Sequence, residues 1–258
     1  MIHASAIAES IVAPTLFRPE FSHSLDPWQT FGANRMPRKT KLLQKHCMTE
    51  SYGVSAKAYL ARAEARLASG RCEEFFYAAL ELRAGVESRM QEYLEAHRHI
   101  SKKKKKGWQI AKLGRSIEQA FRLGDKVAEI TVIEVESKSR IALLYYTPVK
   151  DTLNKKAGRL GDYLHAISFQ KVSNDKWWLT FRTLLEQTVD ELSEATEGVL
   201  LGPPMMRSTK EIYMSVSGFS EQEMKHLLKK MRPKQEVTFK VKYLPRVPKG
   251  AQSRVFAP

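Results

Sequence analysis

Apolar residues recur at every third or fourth position through most of the chain, which is the spacing that places them on one face of a helix. Pro148 favours the start of one such helix. Ser220, with Glu223 three residues later, forms a capping-box signature at the start of another. The helical spacing is found over 55–69, 71–98, 110–121, 148–167, 174–198 and 220–231.

Four other stretches have the β-branched or alternating composition of strands. They cover 128–135, 139–146, 210–216 and 237–243. A short polar turn joins the first two, which predicts a β-hairpin at about 128–147. The last one alternates apolar side chains with Thr and Lys, which predicts a strand with one basic face.

Together these elements predict an α+β fold with two structured parts. Residues 51–200 are predicted to form a mainly helical bundle with the β-hairpin inserted in it. The break at 202–204, Gly-Pro-Pro, separates this bundle from a small mixed α/β segment over 201–258. The last dozen or so residues are expected to fray.

The first 50 residues have no sustained period and contain four prolines, so a disordered basic extension is expected there. Their basic tract at 35–45 has two interpretations: it is an arm that binds nucleic acid, or translation begins at Met48 and residues 1–47 are an over-long gene start. The second interpretation is favoured slightly.

The formal net charge is +15 with a pI of about 9.7, which favours polyanionic partners and nucleic acid above all, although charge also serves solubility alone. The two cysteines, Cys47 and Cys72, are far apart, which excludes a disulfide scaffold and a cysteine-based zinc site. This usage favours a reducing cytoplasm. No apolar run approaches 18 residues, so we expect no membrane span.

Five consecutive lysines break the helical pattern, and mutual repulsion predicts that they lie in a loop. Such a run attracts phosphates, although it is more often only a solvated surface. Trp108 beside it offers a ring for base stacking, or it anchors the next helix. The candidate nucleic-acid-binding residues are therefore Lys102, Lys103, Lys104, Lys105, Lys106 and Trp108.

Several familiar motifs are absent from the sequence. It contains no phosphate-binding loop, dinucleotide fingerprint, zinc-protease motif or nucleophile elbow. His97 and His99 lack a nearby carboxylate at ligand spacing, so they are interpreted as surface residues. No metal and no cofactor is predicted.

The most distinctive stretch is 157–167, which sorts its side chains onto two sides of a helix. Leu153, Ala157, Leu160, Leu164 and Ile167 share one apolar stripe. Opposite them, Arg159, Asp162 and His165 follow one another at i, i+3 and i+6. This places a guanidinium, a carboxylate and an imidazole within two turns.

Two interpretations of this polar face compete. An imidazole of near-neutral pKa can move a proton at a ribose 2′-hydroxyl or a leaving 5′-oxygen, and a guanidinium can hold the phosphate between them. Asp162 would then orient the imidazole. The alternative is a chain of surface ion pairs from Arg159 through Asp162 to His165, worth about 0.2–0.5 kcal/mol each. Spacing alone favours the ion pairs.

The arrangement over 55–197 resembles the HEPN superfamily of helical nucleases and nucleic-acid-associated domains. The resemblance rests on two features: a late helix with Arg159, five residues and His165, and an earlier long helix with Ala78-Ala79-Leu80-Glu81-Leu82-Arg83. It implies a helical bundle that forms a homodimer in which two motifs face one cleft. It also implies metal-independent RNA cleavage, often in toxin–antitoxin or phage-defence systems with an antitoxin partner.

Three functional hypotheses follow, of which the third and weakest is a dimerising scaffold whose long helices bury one another and whose charge is incidental. The first is a HEPN-like RNA endonuclease with Arg159, Asp162 and His165 as its site and the lysine run as an electrostatic guide. The second is a non-catalytic basic module of the same fold that binds nucleic acid or protein, since many members of the superfamily are inactive.

Overall fold

The structure is a computed structural model that describes residues 10–13, 52–97, 100–101, 110–165, 174–203, 205–208, 211–231 and 236–256. Within these ranges the helices are α1 (Ala56–Ala68), α2 (Cys72–Glu95), α3 (Ile110–Phe121), α4 (Asp151–Leu164), α5 (Asp175–Glu197) and α6 (Glu221–Lys230). The strands are β1 (Ser10–Ala13), β2 (Val127–Glu134), β3 (Arg140–Tyr146), β4 (Met205–Ser208), β5 (Glu211–Tyr213), β6 (Val237–Leu244) and β7 (Arg254–Val255). None of the described helices is long and apolar enough to cross a bilayer.

The α+β class is confirmed, and α2 lies at the centre of its helices. This helix contacts α1, α3, α4 and α5. Small side chains on α2 let its neighbours approach closely: Ala78 and Ala79 are fully buried, and a methyl group on Gly85 would come within 2.8 Å of Leu192 on α5. Its larger apolar side chains extend the same core.

The predicted β-hairpin is confirmed, but it does not stand alone. Antiparallel pairing gives a five-stranded sheet in the order β1-β6-β2-β3-β7. Strand β6 pairs with β2 along its whole length, from Val127 opposite Leu244 to Glu134 opposite Val237. The division near residue 200 stays a prediction, but the segment over 201–258 shares this sheet with the hairpin. The reason is that β2 has apolar residues that need covering and a second edge that needs a hydrogen-bonding partner.

The prediction that the last dozen or so residues fray is wrong for β7, because Arg254 and Val255 pair with β3 as an edge strand. Phe256 continues the contact by donating its backbone N–H to the Ile141 carbonyl at 2.9 Å. For residues 1–50, the structure describes only β1, which pairs with β6. The expected disorder and the gene-start interpretation otherwise stay predictions.

Arg89 joins three helices from inside the core. Its side chain is 3% exposed and donates to the carbonyl oxygens of Ala195 at 3.0 Å and Gly198 at 2.8 Å, at the end of α5. A cation there complements the negative end of the helix dipole. Arg89 also pairs with Glu92 at 2.9 Å, and Glu92 accepts the backbone N–H of Ala56 at the start of α1.

The capping box at α6 is confirmed. The Ser220 hydroxyl accepts the Glu223 backbone N–H at 3.2 Å, and the Glu223 carboxylate accepts the Ser220 backbone N–H at 2.8 Å. Hydrogen bonds from the Ser220 backbone and side chain lower the pKa of Glu223 below its ordinary 4.5. A lowered folded-state pKa means that this carboxylate stabilises the fold above pH 4.5 and loses the effect as the pH falls through its folded pKa.

We expect Ser220→Ala to lower the free energy of unfolding by about 1 kcal/mol, because an orphan helix N–H loses its acceptor. Glu223→Gln should also be less stable than wild type at pH 7, and the two should converge as the pH falls below the lowered pKa of the wild-type carboxyl. Urea unfolding across this pH range measures both effects. A stability difference for Glu223→Gln that is unchanged at acid pH would contradict the assignment.

Candidate functional site

Helix α4 is positioned by charged contacts at its first turns. The Asp125 carboxylate accepts the backbone N–H of Asp151 at 3.1 Å and so caps the helix from outside. Lys156 binds Glu191 of α5 at 2.5 Å, and Lys150 binds Glu194 at 2.8 Å. The acidic end of α5 therefore holds α4 in place.

The predicted apolar stripe of α4 is confirmed over its described length. Leu153, Ala157 and Leu160 are at most 1% exposed, and Leu164 is partly buried against the same core. Ile167, the last predicted member, lies outside the described residues. The polar face must therefore point away from the core.

Arg159, Asp162 and His165 are all exposed, as the opposite-face assignment requires. His165 is the first residue beyond α4 and has an extended backbone, with φ −81° and ψ 168°. In the described part of the chain none of the three side chains forms a hydrogen bond or an ion pair. The alternative chain of ion pairs is therefore not formed, and all three groups are available to a ligand.

An aromatic group lies beside this polar face. Tyr163, between Asp162 and His165, stacks on Phe181 of α5 with ring centroids 4.2 Å apart and an interplanar angle of 8°. The Trp177 ring is 5.2 Å from Tyr163 and is itself only partly buried. These contacts fix the last turn of α4. They place the Trp177 indole near the end of the helix that His165 follows.

The two stretches that carry the family resemblance meet in the structure. A methyl group on Gly161 would overlap the Arg83 guanidinium, so Arg83 of α2 lies against α4 at the residue before Asp162. Arg83 also pairs with Glu87 at 3.3 Å. Gly161 is buried, so this guanidinium lies on the packed side of α4, and the glycine is what lets it approach.

A cavity of about 690 Å³ lies between α3 and the first half of α4. Its walls are mostly apolar, and polar groups lie among them. The lining residues are Gly114, Arg115, Ile117, Glu118, Phe121, Leu123, Gly124, Asp125, Tyr146, Pro148, Val149, Asp151, Asn154, Lys155 and Gly158.

The prediction that His97 is a surface residue is wrong. The ring is fully buried, and its Nε2–H donates to the Leu201 carbonyl at 2.9 Å. Phe121 contacts the ring edge-on with centroids 4.9 Å apart. The close approach of the 201–202 turn explains the burial, because Gly202 has no side chain to keep the imidazole away. His99 lies outside the described residues.

The lysine run Lys102–Lys106 and Trp108 also lie outside the described residues, so their role stays a prediction. Within the described ranges no three His, Cys, Asp or Glu side chains are grouped as metal ligands. No protein-family model, curated protein or solved structure matches the chain. The function therefore has to be argued from the residues themselves.

Sequence reasoning named Arg83 without foreseeing that it packs against α4, and it did not find the cavity. Arg83 lies among the apolar residues of its helix, so its position gave no sign of a contact with α4. The one sign was Gly161, because a glycine inside a predicted helix indicates that another group approaches the helix closely. Two glycines are the corresponding signals for the cavity. Gly114 on α3 and Gly158 on α4 both lie in its lining, where the lack of a side chain leaves space between the two helices.

Proposed function

We propose that this protein is a metal-independent RNA endonuclease whose site is the polar face of α4, formed by Arg159, Asp162 and His165. The observation that carries the proposal is that these three side chains are all exposed and form no hydrogen bond or ion pair with one another or with other described residues. Structural ion pairs would have engaged them. The net charge of +15 supports an anionic substrate.

In the proposed reaction the ribose 2′-oxygen attacks the adjacent phosphorus. A bond forms between the 2′-oxygen and phosphorus, the bond to the 5′-oxygen breaks, and the 2′-proton ends on the leaving 5′-oxygen. His165 moves that proton, because imidazole accepts and releases protons near neutral pH. Arg159 holds the phosphate and offsets the charge that builds up on its oxygens.

Each polar face carries one imidazole, whereas the reaction needs a base at one oxygen and an acid at the other. A homodimer that brings two α4 faces together would supply two histidines and two arginines to one cleft. Asp162 acts as a positioning residue that orients an imidazole. The dimer and these roles are parts of the proposal.

The test is cleavage of a mixed-sequence single-stranded RNA in the presence of EDTA. We expect wild type to cleave, and His165→Ala to cleave about 100-fold more slowly or less, which is the usual loss for a general acid or base. His226→Ala is the matched control, because His226 lies on α6 and bonds the Phe256 carbonyl. An inert wild type, or equal rates for His165→Ala and wild type, would overturn the proposal.

The second candidate function is RNA binding without cleavage, and the basic face of β6 favours it. Lys240 and Lys242 are exposed, as predicted. Lys240 pairs with Thr131 of β2, which pairs with Leu143 of β3, which in turn pairs with Arg254 of β7. Arg254 therefore lies on the same face of the sheet as Lys240. In the assay above, this function predicts intact RNA and a complex that weakens with salt. Lys240→Gln with Lys242→Gln would weaken it further.

A further inference from the structure

The cavity between α3 and α4 is large enough for a small molecule, since ligand pockets usually measure about 300–1,000 Å³. One side of it consists of rings and branched side chains: Phe121, Ile117, Tyr146 and Val149. These residues suit a flat apolar body. The cavity is separate from the polar face, because none of Arg159, Asp162 and His165 lines it.

A polar atom in the cavity wall lacks a partner. Asn154 lines the cavity, and its Oδ1 is buried without a hydrogen bond. A buried acceptor left unpaired costs about 1–3 kcal/mol. The amide packs against Gly114 of the facing helix, where a methyl group would come within 3.0 Å of Nδ2. Because Oδ1 is closed to solvent, a ligand N–H or O–H group would reach it only after the Asn154 amide turns toward the cavity.

The charges around the cavity restrict the ligand further. Four of the five charged lining groups are already engaged: Asp151 pairs with Lys155 at 2.7 Å, and Asp125 accepts the Asp151 backbone N–H. Glu118 accepts the Gly124 backbone N–H at 3.2 Å. Within the described residues, Arg115 is the one charged lining group without a partner.

Arg115 therefore provides a place for one negative charge. Its fork of donors matches a carboxylate. The three nearby carboxylates, Glu118, Asp125 and Asp151, oppose a group of higher charge such as a phosphate dianion.

We propose that this cavity is a binding site for an amphipathic aromatic monocarboxylate, whose ring system lies against Phe121 and Tyr146, whose N–H or O–H donates to Asn154, and whose carboxylate pairs with Arg115. The proposal does not depend on RNA cleavage. Binding joins α3 to α4, so the ligand raises the stability of the whole chain by mass action.

Indole-3-acetate is a suitable probe because it combines two fused rings, an N–H donor and one carboxylate. We expect it to raise the melting temperature of the full chain and to bind with a dissociation constant at or below about 1 mM. Indole alone and acetate alone should each bind at least tenfold more weakly. No binding of indole-3-acetate, or tighter binding of adenosine 5′-monophosphate, would overturn the proposal.

Two variants separate the polar contacts. Arg115→Gln should weaken indole-3-acetate at least tenfold and leave indole unchanged, whereas Arg182→Gln, an exposed arginine on α5 outside the cavity, should change neither. Asn154→Leu should weaken the probe without lowering the melting temperature of the free protein, because it removes an unpaired acceptor. Unchanged affinity in both cavity variants would place the probe elsewhere and overturn the assignment.

Discussion

Arg89→Met is expected to lower the free energy of unfolding by about 3–5 kcal/mol, because each of the two hydrogen bonds from this charged group to a carbonyl oxygen contributes about 1.5–3 kcal/mol. Methionine fills much of the same space but donates no hydrogen bond. The Gly198 carbonyl would lose the guanidinium donor, whereas the Ala195 carbonyl would keep the Thr147 hydroxyl. Glu92, which is 27% exposed, would lose its partner. The end of α5 and the start of α1 would loosen together.

Urea unfolding of Arg89→Met beside Arg83→Met measures this effect. Arg83 is on the same helix and also pairs with a glutamate, but its side chain is 29% exposed, compared with 3% for Arg89. Exposed pairs of this kind contribute about 0.3–0.5 kcal/mol. Equal losses in the two variants would show that the buried carbonyl contacts of Arg89 do not stabilise the fold.

Gly202→Ala is expected to lower the free energy of unfolding by about 2–6 kcal/mol. The backbone at Gly202 has φ +140°, which side chains other than glycine rarely adopt, and such strain costs about 1–3 kcal/mol. The new methyl group would also overlap the His97 imidazole and come within 3.0 Å of Phe121. Overpacking adds about 1–3 kcal/mol, and the bond from His97 to Leu201 would break.

Gly158→Ala is the matched control for this substitution. Gly158 is an exposed glycine inside α4, and a methyl group there meets no atom within 4 Å. We expect it to raise the free energy of unfolding by about 0.5–1 kcal/mol, because alanine favours the helix. Thermal and urea unfolding measure both variants. A change of stability in the same direction for Gly202→Ala and Gly158→Ala would contradict the roles given to these two glycines.

Local elements were predictable because their signals are local. Helix α5 begins after Asn174, whose side chain accepts two backbone N–H groups, and α6 begins after Ser220, as the capping pattern indicates. The stripe of α4 followed from helical periodicity in the same way. Each depends on residues within a few positions of one another.

Contacts between distant parts of the chain were not predictable. The alternation of β6 indicated a strand but not its partner, which lies more than 100 residues earlier in β2. The burial of His97 depends on a turn at 201–202, and its neighbours in the sequence carry no sign of it. For the candidate site, the exposure of Arg159 and His165 followed from periodicity, whereas the approach of Arg83 required the packing of α2 on α4.

The pairing of β2 with β6 has a consequence for synthesis on the ribosome. Helices α1 to α5 precede β6 in the chain, and their mutual contacts can form as soon as they emerge. Strand β2 must meanwhile wait for residues 237–244, with one edge of backbone N–H and C=O groups unpaired. A nascent chain that stalls before β6 would therefore expose a strand edge that can pair with a second copy, so chaperone protection is needed most between the completion of α5 and the arrival of β6.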